Sequence, residues 1–267
     1  MNPFKQPVIF EIEGTSFEVD IEKQVLRQTN DAANEISFIK DMQDQGAFYH
    51  LLYDLDKHRA AQDRFDQNRV KVISVPQMTD LDREGMAAKY GLPPELVMGK
   101  SDFEVIVDQK ALNQRLSGVL PRIELVGETF IIDLRLQELR HAANFHPVIS
   151  LKSFELTSDG WHYEAYYHPY LKQIVELDLK LQEFPEGVIK LKIPNELGLD
   201  PITTARQYGM DERELLRRYP IQMGLKAEVI PLSETPIPAM IRRNKEALQQ
   251  AHRENAQKIK PRQRPKF

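Results

Sequence analysis

The chain contains no cysteine in its 267 residues. Disulfide bridges, thiolate metal sites and cysteine nucleophiles are therefore excluded, and a reducing compartment is expected. No apolar run approaches the roughly 20 residues that a membrane span requires. The opening MNPFKQPVIFEIEG lacks the apolar core of a secretory signal, so a cytoplasmic protein with no membrane role is expected. Also missing are a Gly-rich phosphate loop, a G-x-S-x-G elbow and an H-E-x-x-H helix motif. Catalysis is left without a strong candidate, and no cofactor is implied. What is there suits a soluble globular protein: 41% hydrophobic and 28% charged residues, in a length that can bury two cores of ordinary size.

Net charge is only −4, but it is unevenly spread. From residue 241 to the end stand Arg242, Arg243, Lys245, Arg253, Lys258, Lys260, Arg262, Arg264 and Lys266, opposed by Glu246 and Glu254 alone. That segment carries +7, which leaves −11 on the rest of the chain. Such asymmetry points to an anionic partner: DNA or RNA, or an acidic protein surface. The last stretch, KIKPRQRPKF, alternates basic residues with prolines and has nothing with which to build a core.

The chain repeats itself. EGTSFEVDIEKQVLRQTN at 13–30 aligns without a gap on VGETFIIDLRLQELRHAA at 126–143, placing Gly14 on Gly127, Asp20 on Asp133, Gln24 on Gln137 and Arg27 on Arg140. EISF then meets VISL, GAFYHLLYD meets GWHYEAYYH, and LDREGMAAKYGLPPELV meets LDPITTARQYGMDEREL. The order of matches is the same throughout, and the offsets change only in polar stretches. Two copies of this length are too few and too long for a solenoid. They read as a tandem duplication of a mainly antiparallel β domain with a short helical corner, an α+β protein. The expected divisions are 1–107 for the first copy, 108–120 for a connecting helix capped by Asp108, 121–232 for the second copy, and 233–267 for a C-terminal helix over 238–259 with a basic tail. VIFEIEGTSFEVDI reads as a hairpin, Asp82 as a helix cap, Gly91 and Gly209 as helix stops. FEVIV and AEVIP read as the closing strands.

Five groups are candidate sites. Ala87, Gly91 and Val97, and again Ala205, Gly209 and Leu215, have helix-turn-helix spacing. The second of these pairs carries Arg213, Arg217 and Arg218, which suit a groove reader, but three acids stand among them and a helical corner closing the sheet is the favoured reading. Asp20, Gln24 and Arg27 with Asp133, Gln137 and Arg140 recur in both copies as either structural ion pairs or a recognition element. His162, Glu164 and His168 share one face of a strand and could hold a metal, which would make a metal-dependent enzyme the third reading. The aromatic strands AFYHLLY and WHYEAYY could stack bases or simply pack a core. The tail residues Arg253, Lys258, Lys260, Arg262, Arg264 and Lys266 form the strongest partner-binding element.

IEGTSFEVDIEKQVLRQTN, VPQMTDLDREGMAAKYGL, GKSDFEVIV and DLRLQELRHAANFHPVISLKSFEL together resemble uncharacterised bacterial domain-of-unknown-function proteins found with conjugative or integrated mobile elements. The resemblance spans residues 1 to about 245. It implies no activity and no catalytic residues, but an accessory role around DNA mobility. Two functions follow as expectations. One is a non-enzymatic binding or adaptor protein that contacts nucleic acid or a nucleoprotein complex through its tail. The other is a protein–protein scaffold with no nucleic-acid role.

Overall fold

A computed structural model describes residues 6–61 and 69–258. The fold is α+β, with antiparallel sheets and a C-terminal helix. It comprises two compact units, one from Met1–Val119 with Pro201–Gln222 and one from Leu120–Asp200 with Met223 onward.

In the first unit, β1 (Ile9–Ile12), β2 (Thr15–Asp20), β3 (Val25–Gln28) and β4 (Asp31–Ser37) form a four-stranded meander. The β1–β2 turn is the expected Glu-Gly pair, with Glu13 at φ 49° and Gly14 at φ 78°. Two successive positive φ values are what a tight hairpin turn with the native strand twist demands. Asp20 closes β2. Its carboxylate accepts from the Lys23 amide at 2.9 Å and from Arg27 at 2.7 Å. Burial alone would raise the Asp20 carboxyl, but these two donors outweigh it and hold it below its ordinary value. A second sheet is made by β5 (Met42–Asp44), β6 (Phe48–Asp54), β7 (Arg59–Ala60) and β8 (Val70–Pro76), with β6 pairing all three others. Rings from the two sheets meet edge to face, Phe17 with Tyr53 at 6.3 Å between centroids. Five helices follow: α1 (Met78–Leu81), α2 (Arg83–Lys89), α3 (Pro94–Val97), α4 (Asp102–Ile106) and α5 (Gln109–Leu116). Asp82 caps α2 through the Gly85 amide, and Asp108 caps α5 through the Lys110 and Ala111 amides.

In the second unit, β9 (Arg122–Leu125), β10 (Glu128–Asp133), β11 (Glu138–His141) and β12 (Val148–Ser150) repeat the meander. The registers correspond: Phe17 opposite Gln28 and Phe130 opposite His141, Leu26 opposite Ile36 and Leu139 opposite Ile149. Val126 and Gly127 repeat the positive-φ turn at 52° and 84°, and Gln24 and Gln137 stand at 57° and 59°. Arg140 reaches Asp133 at 2.5 Å, as Arg27 reaches Asp20. Next, β13 (Glu155–Leu156), β14 (His162–His168), β15 (Gln173–Ile174) and β16 (Ile189–Pro194) pair as their counterparts do, with β14 at the hub. We propose tandem duplication as the origin of this correspondence. The two sheets of this unit share one core, including Phe130, Ile132, Leu139, Tyr167, Leu191 and Ile193, all fully buried. At Gly14 and Gly127 a Cβ would meet nothing within 4 Å, so only the backbone conformation resists substitution. Gly14→Ala and Gly127→Ala are each expected to cost about 1–2 kcal/mol, equally in the two units, as read from chemical denaturation.

The chain then continues as α6 (Glu196–Leu199), α7 (Pro201–Tyr208), α8 (Glu212–Arg218), β17 (Gly224–Lys226), β18 (Glu228–Ile230) and α9 (Ile237–Lys258). Two expectations are corrected here. FEVIV is not a strand: Ser101 and Glu104 form a reciprocal capping box, and residues 102–106 wind into α4. Its counterpart is the strand β18. In addition, α7 and α8 lie within the second repeat by sequence but pack in the first unit. The second unit's closing strands fill a place that helices do not: β17 runs parallel to β9 in one sheet, and β18 runs antiparallel to β16 in the other.

Candidate functional site

The helical corner was the first candidate. Its groove-reading version fails on length and on the aim of its arginines. The α3 helix is a single turn of four residues. In α8, Asp211 caps the N-terminus, Leu215 and Leu216 are buried, and helical spacing carries Arg217 to the same inward side. Arg217 donates to the Phe38 carbonyl at 2.7 Å and to Glu214 at 3.1 Å, and its guanidinium lies 4.7 Å from the Tyr49 ring centre. Arg213 donates to Asp44 at 2.8 Å and lies over Phe103 at 4.3 Å. Arg218 alone is exposed. Two of the three arginines are thus engaged within their own unit, Arg217 with no exposed side-chain surface.

They belong to a buried polar network that sequence reading missed. Asp44, its side chain wholly inaccessible, also accepts from the Gly46 amide at 2.8 Å and from Gln77 at 3.2 Å. The Gln77 side-chain carbonyl accepts from the Asp102 amide at 2.8 Å. The Asp102 carboxylate in turn accepts from the Met78 and Thr79 amides at 2.9 and 2.8 Å and from the Tyr49 hydroxyl at 2.6 Å. Burial pushes Asp102 above the usual carboxylate range despite these donors, and burial together with the Asp102 charge pushes the Tyr49 phenol far upward. The network joins β5, β6, α1, α4 and α8 and closes on itself, which suits a structural clasp. Nothing in the local pattern around Asp44 or Asp102 distinguishes either from a surface acid.

The shared Asp-Gln-Arg set is structural. Each Arg is spent on its Asp. Gln24 donates to the Tyr90 hydroxyl at 3.0 Å, and Gln137 to the Leu134 carbonyl at 3.1 Å. The recognition reading of these six residues is not supported by their placement.

The metal reading is also corrected. Among the described residues no group of three or more His, Asp or Glu is placed to hold a metal. His162 and His168 are six residues apart on one strand, about 20 Å at the ordinary rise. His162 approaches Asp159 at 3.8 Å, Glu164 pairs with Lys190 at 2.5 Å, and His168 lies against Gly187. Sharing a face does not make ligands converge.

The aromatic strands split between core and surface. Tyr49, Tyr53 and Tyr167 are fully buried and offer no face for base stacking, Tyr163 and Tyr166 are half-buried, and Phe48 and Trp161 are exposed. Burial pushes the phenols of Tyr90 and Tyr167 up to about 12, and those of Tyr49 and Tyr53 also rise from 10.0. A phenol whose folded value exceeds its unfolded value contributes stability that is complete below pH 10 and is lost as pH rises through the folded value. Phenolate absorbance is therefore expected to show four of the nine tyrosines titrating late, together with alkaline unfolding.

Two further features remain. A cavity of about 570 Å³ opens on the second unit, lined by Phe154, Glu164, Ile174, Leu179, Lys190 and Met240 among others. Its lining mixes apolar residues with charged ones, among them Glu155, Glu176 and the Glu164–Lys190 pair. The other feature is α9. Ile237 and Ile241 are buried, and Asn244 donates to the Leu179 and Leu181 carbonyls at 2.8 Å each. Beyond Asn244 every residue through Glu254 is exposed. Arg242, Arg243, Lys245 and Arg253 all face solvent. Lys258 ends the helix, and Lys260, Arg262, Arg264 and Lys266 lie outside the described residues. No helix among the described residues is long and apolar enough to cross a membrane. No protein-family model, no curated protein and no solved structure matches this chain.

Proposed function

We propose that this protein is a non-enzymatic adaptor that contacts nucleic acid through α9 and the basic tail, an accessory factor of the mobile-element kind that its resemblance implies. One observation carries the reading: the positive charge of an otherwise acidic chain is concentrated from residue 241 onward, in a helix whose residues 245–254 are all exposed and in the five basic residues of 258–267. A helix that is polar all round gains little from packing on its own protein. Here it presents Arg242, Arg243, Lys245 and Arg253 to solvent beside Glu246 and Glu254, and the five basic residues of 258–267 supply most of the excess charge. Of the other basic residues weighed as binders, Arg213 and Arg217 are engaged within their own unit and Arg27 and Arg140 pair with Asp20 and Asp133, while Arg218 is exposed.

The test is retention of the purified full chain on DNA and RNA at low salt, with and without residues 258–267. Salt-sensitive retention that disappears with the deletion supports the reading. Retention unchanged by the deletion, or no retention by the full chain, overturns it. Retention of an acidic protein only, after nuclease treatment, favours the scaffold reading.

A further inference from the structure

The two units differ in how their sheet edges are closed. In the second unit, residues 224–230 form one extended segment that closes both sheets. It pairs at Arg122, Ile123 and Glu124 of β9, then at Lys190, Leu191 and Lys192 of β16. The Arg122 amide donates to Met223 at 3.1 Å, and the Glu124 carbonyl accepts from Ala227 at 2.9 Å. Ile123 and Leu191 are fully buried beneath this segment.

Register places Ile9, Phe10 and Glu11 of β1, and Val72, Ile73 and Ser74 of β8, in the corresponding positions of the first unit. No strand pairs with either edge among the described residues. Ile9 is 47% exposed and Val72 43%, while Phe10 and Ile73 are half-buried where Ile123 and Leu191 are fully buried. Lys71 on β8 reaches Glu13 in the turn after β1 at 2.7 Å, which brings the two strands near each other. Exposed edges of this kind are templates for another strand.

We propose that the β1 and β8 edges of the first unit form a docking site for an extended segment of a partner protein, running parallel to β1 and then antiparallel to β8. The chemistry of that segment follows from the one seated in the second unit, Leu225-Lys226-Ala227-Glu228-Val229. An aliphatic residue covers Phe10, and a small residue crosses between the sheets, as Ala227 does at 6% exposure. A basic residue between them meets Glu11, as Lys226 meets Glu124 at 3.0 Å.

The probe is a synthetic peptide carrying residues 224–230, titrated into the full chain. Saturable binding that protects the outward-facing amides of Ile9, Glu11, Val72 and Ser74 from hydrogen exchange supports the site. Glu11→Lys is expected to weaken binding about threefold, in line with one exposed ion pair, and a peptide with Glu in place of the lysine is expected to restore it. Absence of saturation, equal binding of both peptides to both proteins, perturbation confined to residues 122–124, or amides already protected in the free chain overturns the proposal. Dimerisation of the free chain through these same residues also overturns it, by making a second copy the occupant. A chain lacking residues 258–267 is expected to bind the peptide unchanged, which keeps this outcome separate from the fate of the nucleic-acid reading.

Discussion

Replacing Arg217 by alanine is expected to lower the unfolding free energy of the first unit by about 3–5 kcal/mol, the range for removing one partner of a buried ion pair. The guanidinium is the hub on which three groups meet: the Phe38 carbonyl, the half-buried Glu214 carboxylate and the buried Tyr49 ring. Its removal leaves the carbonyl without its donor and an unfilled space beside the ring. Asp44 keeps Arg213, the Gly46 amide and Gln77, so its charge is still met. Arg217→Met retains the volume and therefore is expected to cost less than alanine. Arg217→Lys retains the charge but not the planar stack, and is expected to fall between the two. Urea denaturation followed by circular dichroism measures all three. A loss below about 1 kcal/mol for alanine would show that the clasp contributes little to stability.

Deleting residues 258–267 is expected to make nucleic-acid binding much less salt-sensitive. The segment carries five basic residues and no acid. Each phosphate neutralised contributes about 0.7–0.9 to the log–log salt slope, for single strands and duplex respectively. If all five engage, the slope becomes shallower by roughly 3.5–4.5. Between 50 and 200 mM salt, the contribution of those contacts falls by about two to three orders of magnitude. Affinity at low salt is expected to drop accordingly, while thermal stability is unchanged because no described core residue lies in the deleted segment. Fluorescence anisotropy across a salt series reads the slope directly. A slope that the deletion leaves unaltered would remove the tail from the interface.

Much of the architecture was legible in the chain because its signals are local. A Glu-Gly pair between alternating runs specifies a tight hairpin wherever it stands, and Asp82 or Asp108 before a helical pattern finds orphan amides within three residues. The Asp20–Arg27 and Asp133–Arg140 pairs span one strand connection each, so their recurrence is visible as a sequence match, with the ion pair as one of two readings. The candidate sites were less legible. Arg213 and Arg217 read as solvent-facing cations because helical spacing says which residues share a side but not what that side meets. His162, Glu164 and His168 share a face, but convergence depends on neighbouring strands, and Lys190 from β16 takes Glu164.

By itself the sequence determined the paired repeats, their hairpins, caps and helix ends, and the separation of positive charge into the last residues. Each depends on interactions reaching a few positions along the backbone, or on simple counting. Only the tertiary structure decided that Pro201–Gln222 packs with the first unit, that Asp44 and Asp102 are buried within a hydrogen-bonded clasp, and that FEVIV winds into a helix while its counterpart closes two sheets. Those outcomes turn on which groups distant in the chain can jointly leave water with their polar atoms satisfied, and that is a property of the assembled fold.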